Sequence, residues 1–518
     1  MIGSLLSVNA GRFPDRTALV FDEKRFSYTE LNARACRLGN ALTALGIGKG
    51  ERVATLLHNS NQFIEAFFGL AKIGAVFVPI NFRLAAGEIQ QILESCTPAV
   101  LIFGDELGDV LEPIEAAALL PRHLVRVGAP STGSGAVGNA MDYESMIQNA
   151  SSREPEEDVS SNDDQLLLHT SGTTGHPKGA LWAHRTTLCS SMAKIIDFEL
   201  SPSDITVVFG PLFHVGPLMD LAIPVLLRGG RLVIGRSRGF DPVKVLATME
   251  KERVTVVTIY PTMWRRVLGV SKLEQYDLRS LRLLFTGGEP IPKPILREIY
   301  ARFPHAAFIN TYGSTEAGPI STFLAPEHQQ EKIGSIGKPA FTAEVKIVDE
   351  HDRELSADEV GELTIRSSFV FNGYWNRPHD SAAPSRNGWW HTGDLGWKDA
   401  EGFIWIGGRK KDMIISGTEN IYPIEVEQVI ATLDGVMEVA VVGVPDEQWG
   451  ESVAAFIVRE KGANLDETEI IDHCQAKIAS YKKPRHVLFV DSLPRTTVNK
   501  ISKDILRRQF TPPLSDAD

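Results

Sequence analysis

The sequence predicts an α/β protein, with a large N-terminal part of layered α/β sheets and a small β subdomain, followed by a small C-terminal α+β domain. Three observations predict it. Helical and strand periodicities alternate through residues 26–127. Strands repeatedly empty into glycine-rich loops, as they do along the binding crevice of open α/β sheets. A second, self-contained apolar pattern begins after Gly407, Gly408 and Arg409.

Residues 28–45 carry apolar side chains at helical spacing behind a Ser/Thr start, and Gly46 to Gly50 close the helix. Residues 52–57 read as a buried strand, 63–73 as a helix, and 75–80 and 99–103 as strands, which is the layout of a sheet flanked by helices. Between 128 and 164 the composition turns to Gly, Ser, Ala and acids, so this stretch reads as a surface connection. Leu166 to Leu168 form a short strand feeding a loop at 170–179, and 207–215 reads as a strand running out to Phe213 and His214. Strands at 256–260 and 281–285 empty into Pro261 and into a turn holding Gly288 and Glu289, and residues 310–318 form the next exit loop. Short alternating strands at 345–347, 362–366 and 403–406 make the small β subdomain. Beyond it, helices at 425–433 and 467–478 and strands at 439–444, 453–458 and 487–490 make the second domain. The expected division is 1–408, a hinge at 409–412, and 413–518.

At 518 residues the chain is too long for one core and ample for two domains. Its 53 basic and 65 acidic residues leave a net charge of −12, which argues against nucleic acid as a partner and requires any anionic ligand to be met by a local cationic pocket. Cys36, Cys96, Cys189 and Cys474 are scattered, without metal spacing, and read as reduced thiols of a cytoplasmic protein. No secretory signal is evident, and the apolar region 205–227 is broken by Pro211, His214, Pro217, Asp220 and Pro224, which excludes a membrane span there.

The stretch TSGTTGHPKG at 170–179 carries the strongest chemical signal. Small residues let backbone N–H groups approach an anion, while Thr170, Ser171, Thr173 and Thr174 supply hydroxyls, Gly172 supplies freedom and Lys178 supplies charge. A polyphosphate suits that donor set. It is not a Walker loop, because Gly179 follows Lys178 and Pro177 removes a donor. A simple Gly/Thr turn is the bland alternative.

Five further stretches follow in order: PLFHVGPL at 211, NTYGSTEAG at 310, HTGDLG at 391, GRKKDMIISGTENIYPIEVE at 408 and PRTTVNKISK at 494. With them the chain resembles, over essentially its whole length, the adenylate-forming superfamily of acyl-CoA synthetases, peptide-synthetase adenylation domains and luciferases. The resemblance implies ATP, Mg2+ and CoA, with the active site between the large domain and a C-terminal lid. It assigns the phosphates to the 170–179 loop and the nucleotide to Gly288, Glu289, Asn310, Thr311, Tyr312 and Gly313. Thr315 and Glu316 become catalytic, Glu316 as the Mg2+ ligand, although an unplaced Glu is by default an exposed carboxylate. Asp394, whose two oxygens match a ribose diol, could otherwise cap a turn; Arg409 joins it on the ribose, and Lys411 marks the hinge. His214, by residue type as often a satisfied structural imidazole as a functional one, falls in the resemblance between acyl pocket and CoA channel. Lys500, a solvated lysine by default, becomes the adenylation lysine.

Adenylation domains for amino acids carry an aspartate near position 214; its absence, with Val215, Leu218, Met219 and Met263 nearby, implies a hydrophobic fatty, aromatic or alicyclic acid. Two departures from the family stand out. Asn499 replaces the glycine before Lys500, and Thr418 replaces the second glycine after Gly417 near the pantetheine path. The implied reaction is ATP-dependent acid:CoA ligation; a ligase specialised for one half-reaction, a luciferase-like oxygenase and an ATP-binding protein without turnover are the alternatives. A homodimer and a partner ligase are compatible with the resemblance.

Overall fold

The computed structural model describes residues 1–129, 139–170, 177–237, 239–289, 291–417, 419–496 and 500–510. Its strands, among the described residues, form four sheets. A seven-stranded sheet is built around Arg52–Leu56, Val76–Pro79 and Val100–Gly104, and a nine-stranded sheet runs from Lys24–Ser27 at one edge to Lys338–Pro339 at the other. The parallel strands Ile205–Val208, Val256–Thr258, Leu283–Gly287 and Ala307–Ser314 lie near the centre of the larger sheet, so their carboxyl ends open on one side. A five-stranded antiparallel sheet around Gly361–Ser367 and Trp389–Lys398 is the small β subdomain.

Both large sheets share a core because the helix Asn61–Lys72 is apolar nearly all round and buried along its whole length. Its two charged residues are neutralised in place. Glu65 accepts from Arg34 Nε at 2.7 Å, Asn61 at 2.7 Å and the Tyr143 hydroxyl at 2.8 Å, and Lys72 reaches Ser7 at 2.6 Å and Glu154 at 2.7 Å. The helix Tyr28–Ala44 beside it begins at a reciprocal cap between Ser27 and Glu30.

The C-terminal domain has separate apolar clusters, built from residues between Ile414 and Phe510 with the helices Pro423–Ile430 and Glu467–Lys477 against a five-stranded sheet. It touches the large domain where Arg265 donates to the Met437 carbonyl. Among the described residues no helix is long and apolar enough to cross a membrane, and the four cysteines are free thiols.

Five local readings change. The connection at 128–164 contains the edge strand Met141–Asp142 and the helix Tyr143–Gln148, whose Tyr143 and Ile147 are buried. The strand expected at 207–215 is Ile205–Val208, because Gly210 and Pro211 end it. Asn310 to Gly313 lie inside the strand Ala307–Ser314 rather than in a loop. Asp394 lies inside the strand Trp389–Lys398, and the strand Ile404–Arg409 runs on through Gly407 and Gly408. In the strands through Asn310, Asp394 and Gly407–Gly408, backbone pairing with a neighbour outweighs the local glycine signal.

Candidate active site

The site gathers where strand ends of both large sheets meet the β subdomain. Thr170 ends the strand Asp164–Thr170 and Lys178 begins its antiparallel partner Lys178–Ala183, directly opposite in register. The Thr170 hydroxyl donates to the Lys178 carbonyl at 3.3 Å, which pins the two ends together. Ser171, Gly172, Thr173 and Thr174 lie outside the described residues, as does Thr418. Lys178 Nζ sits 3.1 Å from Asp380 and 5.3 Å from the centre of the Tyr374 ring. That ammonium holds the Asp380 carboxyl below its ordinary range.

Tyr374 carries the next link, since its hydroxyl donates to Glu316 Oε1 at 2.8 Å. The Glu316 carbonyl accepts from Phe371 N at 2.9 Å, and the Thr315 carbonyl accepts from Trp182 Nε1 at 2.9 Å, so both sheets hold this corner. Gly313 precedes it for a steric reason: a Cβ there would stand 2.2 Å from the Gly318 carbonyl oxygen across the hairpin. Asn310 donates to the Ser335 carbonyl at 3.0 Å and Thr311 to the Thr286 carbonyl at 2.9 Å, which fixes the strand beside Gly288 and Glu289.

Asp394 and Arg409 face each other across adjacent strands, with Arg409 Nε 2.7 Å from Asp394 Oδ1. The Tyr312 hydroxyl donates to Oδ2 at 2.5 Å and Asp394 N donates to Thr392 Oγ1 at 3.0 Å. Burial, with 7% of the residue exposed, raises the Asp394 pKa, and Arg409 and Tyr312 restrain the rise. Each carboxylate oxygen keeps a second lone pair for a further donor.

Lys500 enters from the C-terminal domain, with Thr496 N donating to its carbonyl at 2.7 Å. Its side chain keeps access to water but stands within the crevice, where enclosure by protein and then repulsion from Arg409 lower its pKa, against the pull of Glu289, Asp394 and Glu316. Burial raises Glu289 in turn, and Lys500 opposes that rise. His214 accepts from Gly216 N at 3.3 Å through Nδ1; burial, and then Lys500 and Arg83, push its pKa down to about 4, so the ring is neutral near pH 7. Lys178, Glu316, Asp394, Arg409, Lys500 and His214, distant in sequence, are therefore drawn to one crevice. Lys411 is set apart from it, 3.5 Å from Asp504, and Gly417 has φ +64 with its N donating to the Trp449 carbonyl at 2.7 Å.

Such an arrangement can receive a polyanion at one end and a diol at the other, with a cation between them. Comparison with known proteins decides what kind of enzyme this is. Residues 6–375 match the AMP-binding enzyme family and residues 425–500 its C-terminal domain. The chain belongs to the AMP-binding enzyme family. An indoleacetate–CoA ligase of Aromatoleum aromaticum is 36% identical over 96% of this chain and 96% of its own length. A feruloyl-CoA synthase from an Amycolatopsis species is 36% identical over 98% and 99%. The solved anthranilate CoA ligase AuaEII, in complex with anthranoyl-AMP, superposes with a TM-score of 0.90 at 29% identity, covering 98% of this chain and 96% of that one. This AMP-binding enzyme is a ligase of the AMP-forming CoA class.

Sequence reasoning missed three parts of the site. Tyr374, which ties Lys178 to Glu316, stands in a run of Phe, Asn, Gly, Tyr and Trp without periodicity, and nothing local marks its hydroxyl. Asp380 is likewise visible only as the partner of Lys178. Asp220 is different: it accepts from the Tyr260 hydroxyl at 3.2 Å, and burial raises its pKa against the pull of Lys194. A lone charge within the apolar run 205–227 was the available signal, and it reads there as a break in a membrane pattern.

Proposed function

We propose that this chain is an ATP-dependent acid:CoA ligase that adenylates a hydrophobic carboxylic acid, whether fatty, aromatic or alicyclic, and passes the acyl group to CoA. Lys500 is the observation that carries the reading. A lysine of the C-terminal domain stands among Glu289, Glu316, Asp394 and Arg409 of the large domain, where a carboxylate and an α-phosphate would need a cation. In the first step a carboxylate oxygen forms a bond to the α-phosphorus and pyrophosphate leaves with the electrons of the broken P–O bond. In the second, the CoA sulfur bonds to the acyl carbon and AMP leaves. The first step needs alignment and charge neutralisation rather than covalent help from the protein.

Lys178 and the 170–179 loop would hold the departing phosphates, Asp394 and Arg409 the ribose, Tyr312 the base, and Lys500 the carboxylate and α-phosphate oxygens. Among the described residues no cluster of three His, Cys, Asp or Glu side chains is set to hold a metal. Mg2+ commonly binds one or two carboxylates plus substrate phosphates, and Glu316, oriented by Tyr374 beside Lys178, fits that mode. When bound there, Mg2+ would neutralise phosphate charge. His214 is neutral, held by Gly216 and within electrostatic reach of Lys500, which suits it to contact an apolar substrate without adding a charge to the pocket. Residues 409–412 act as the hinge between adenylation and thioester formation, and the free thiols suit a cytoplasmic setting.

The test is a screen of pyrophosphate release and CoA thioester formation over an acid library. Acid-dependent release with an apolar monocarboxylate is the expected result, and a preference for free amino acids would overturn the pocket reading.

A further inference from the structure

We propose that Asp380 is a positioning residue for Lys178: it holds the lysine as its counter-ion in the empty site, gives it up when the departing phosphates of ATP bind, and so weakens the hold on ATP and on pyrophosphate. The inference rests on the ligase reading above. Backbone pairing brings the two charges together. Residues 372–375 run along the strand Lys178–Ala183: Asn372 N donates to the Leu181 carbonyl at 2.7 Å, Leu181 N to the Gly373 carbonyl at 3.0 Å and Trp375 N to the Gly179 carbonyl at 2.8 Å. The chain then turns into the helix Pro378–Ala382, and Ser381 Oγ fixes the turn by accepting from Tyr374 N at 2.7 Å and donating to the Arg377 carbonyl at 2.8 Å. Tyr374 and Asp380 therefore meet Lys178 together, its ammonium 5.3 Å from the ring centre and 3.1 Å from Asp380 Oδ2.

This contact can exchange while the backbone stays in place. Both side chains keep access to water, 18% for Lys178 and 38% for Asp380, and an ion pair open to solvent holds weakly. Arg377 Nη1 donates to the same Oδ2 at 3.4 Å, so the carboxylate keeps a cation after Lys178 leaves it. The Lys178 ammonium holds the Asp380 carboxyl below its ordinary range, which makes the competing charge present at neutral pH. Glu316 stands outside the exchange, because its contact is with the Tyr374 hydroxyl.

A phosphate oxygen taken up by the ammonium would stand within about 6 Å of Asp380 while both contacts last. Two anions then share one cation, and the repulsion is relieved when Asp380 passes to Arg377. Once pyrophosphate has left the α-phosphorus, Asp380 competes with it for Lys178 and eases its release. AMP lacks the departing phosphates, so Asp380 leaves its binding unchanged.

The experiment titrates ATP and AMP, with Mg2+, into the full chain and into Asp380→Asn and Asp380→Glu, and measures pyrophosphate by its competition with ATP. Asp380→Asn should bind ATP and pyrophosphate threefold or more tighter with AMP unchanged, and Asp380→Glu, which keeps the charge, should return towards wild type. A carboxylate that merely supported the fold or held Lys178 ready for ATP would give the opposite sign. ATP affinity within twofold of wild type or weaker in Asp380→Asn, or AMP tightened by the same factor as ATP, overturns the proposal while leaving the ligase reading intact. A wild-type chain that binds no ATP overturns both.

Discussion

Asp394→Asn removes one charge at the point where Arg409 and Tyr312 meet, within electrostatic reach of Lys500, and its effects can be worked from the geometry. The carboxylate takes a charge-assisted contact from Arg409 at 2.7 Å and a phenol hydrogen bond at 2.5 Å, with two lone pairs left for a ribose. Hydrogen bonds to a charged group contribute about 1.5–3 kcal/mol, and Arg409 is half exposed, which favours the lower part of that range. A loss of about 2 kcal/mol corresponds to roughly a 30-fold rise in the apparent dissociation constant for ATP. Asp394 also supports the protonated form of Lys500, against enclosure and Arg409, which lower its pKa. Its removal therefore lowers the Lys500 pKa further, and the alkaline limb of adenylation moves to lower pH. Isothermal titration with ATP and a pH profile of acid-dependent pyrophosphate exchange measure the two effects. ATP affinity within twofold of wild type, with the alkaline limb unmoved, would refute the placement of the nucleotide on Asp394.

Tyr374→Phe keeps the ring beside Lys178 and removes the hydrogen bond to Glu316, so the Mg2+ concentration for half-maximal exchange should rise several-fold; an unchanged Mg2+ titration would show that Tyr374 does not position Glu316. His169, His184 and His214 are each held down to about 4 from the ordinary 6.5, with burial the leading cause. The native state thus binds fewer protons than the unfolded chain between those values, so this stability is present above pH 6.5 and is lost as pH falls towards 4, at up to about 1.4 kcal/mol per pH unit per ring. Urea unfolding across that range should show the slope, and His184→Gln should reduce it by about a third; an unchanged slope would show that His184 protonates freely. For the CoA half-reaction, Thr418→Gly supplied with preformed acyl-AMP and CoA should form thioester several-fold faster with pyrophosphate exchange unaltered. Equal rates would make Thr418 a tolerated variation and remove the reason to invoke a partner ligase.

Much of the site was legible because its residues sit in contiguous motifs whose chemistry is local: a hydroxyl and glycine loop ending at Lys178, a carboxylate at Asp394, a lysine at 500. Their mutual distances were not legible. Asp394 meets Arg409 because two strands pair in one particular register, and a reading that saw Gly407 and Gly408 as the start of a linker loses that pairing. The same reasoning hid the strand through Asn310, since glycine and threonine locally resemble a turn while cross-strand bonds hold them extended. Tyr374 and Asp220 matter through single long-range contacts, which leave no periodic trace in sequence. The expectation that Leu218, Met219 and Met263 line one acyl pocket meets a different packing: Leu218 and Met219 belong to the core shared by the two sheets, and Met263 packs on a separate cluster.

The central claim is that Lys500 supplies the cation for adenylation from its place between Glu289, Asp394, Glu316 and Arg409. Lys500→Ala tests it when the two half-reactions are measured separately with an acid that the wild-type chain activates. Loss of a preorganised cation at the reacting phosphate costs about 3 kcal/mol or more, on the order of 100-fold in rate. The account predicts that acid-dependent pyrophosphate exchange falls by at least that factor while thioester formation from preformed acyl-AMP persists. Exchange retained at the wild-type rate would contradict it.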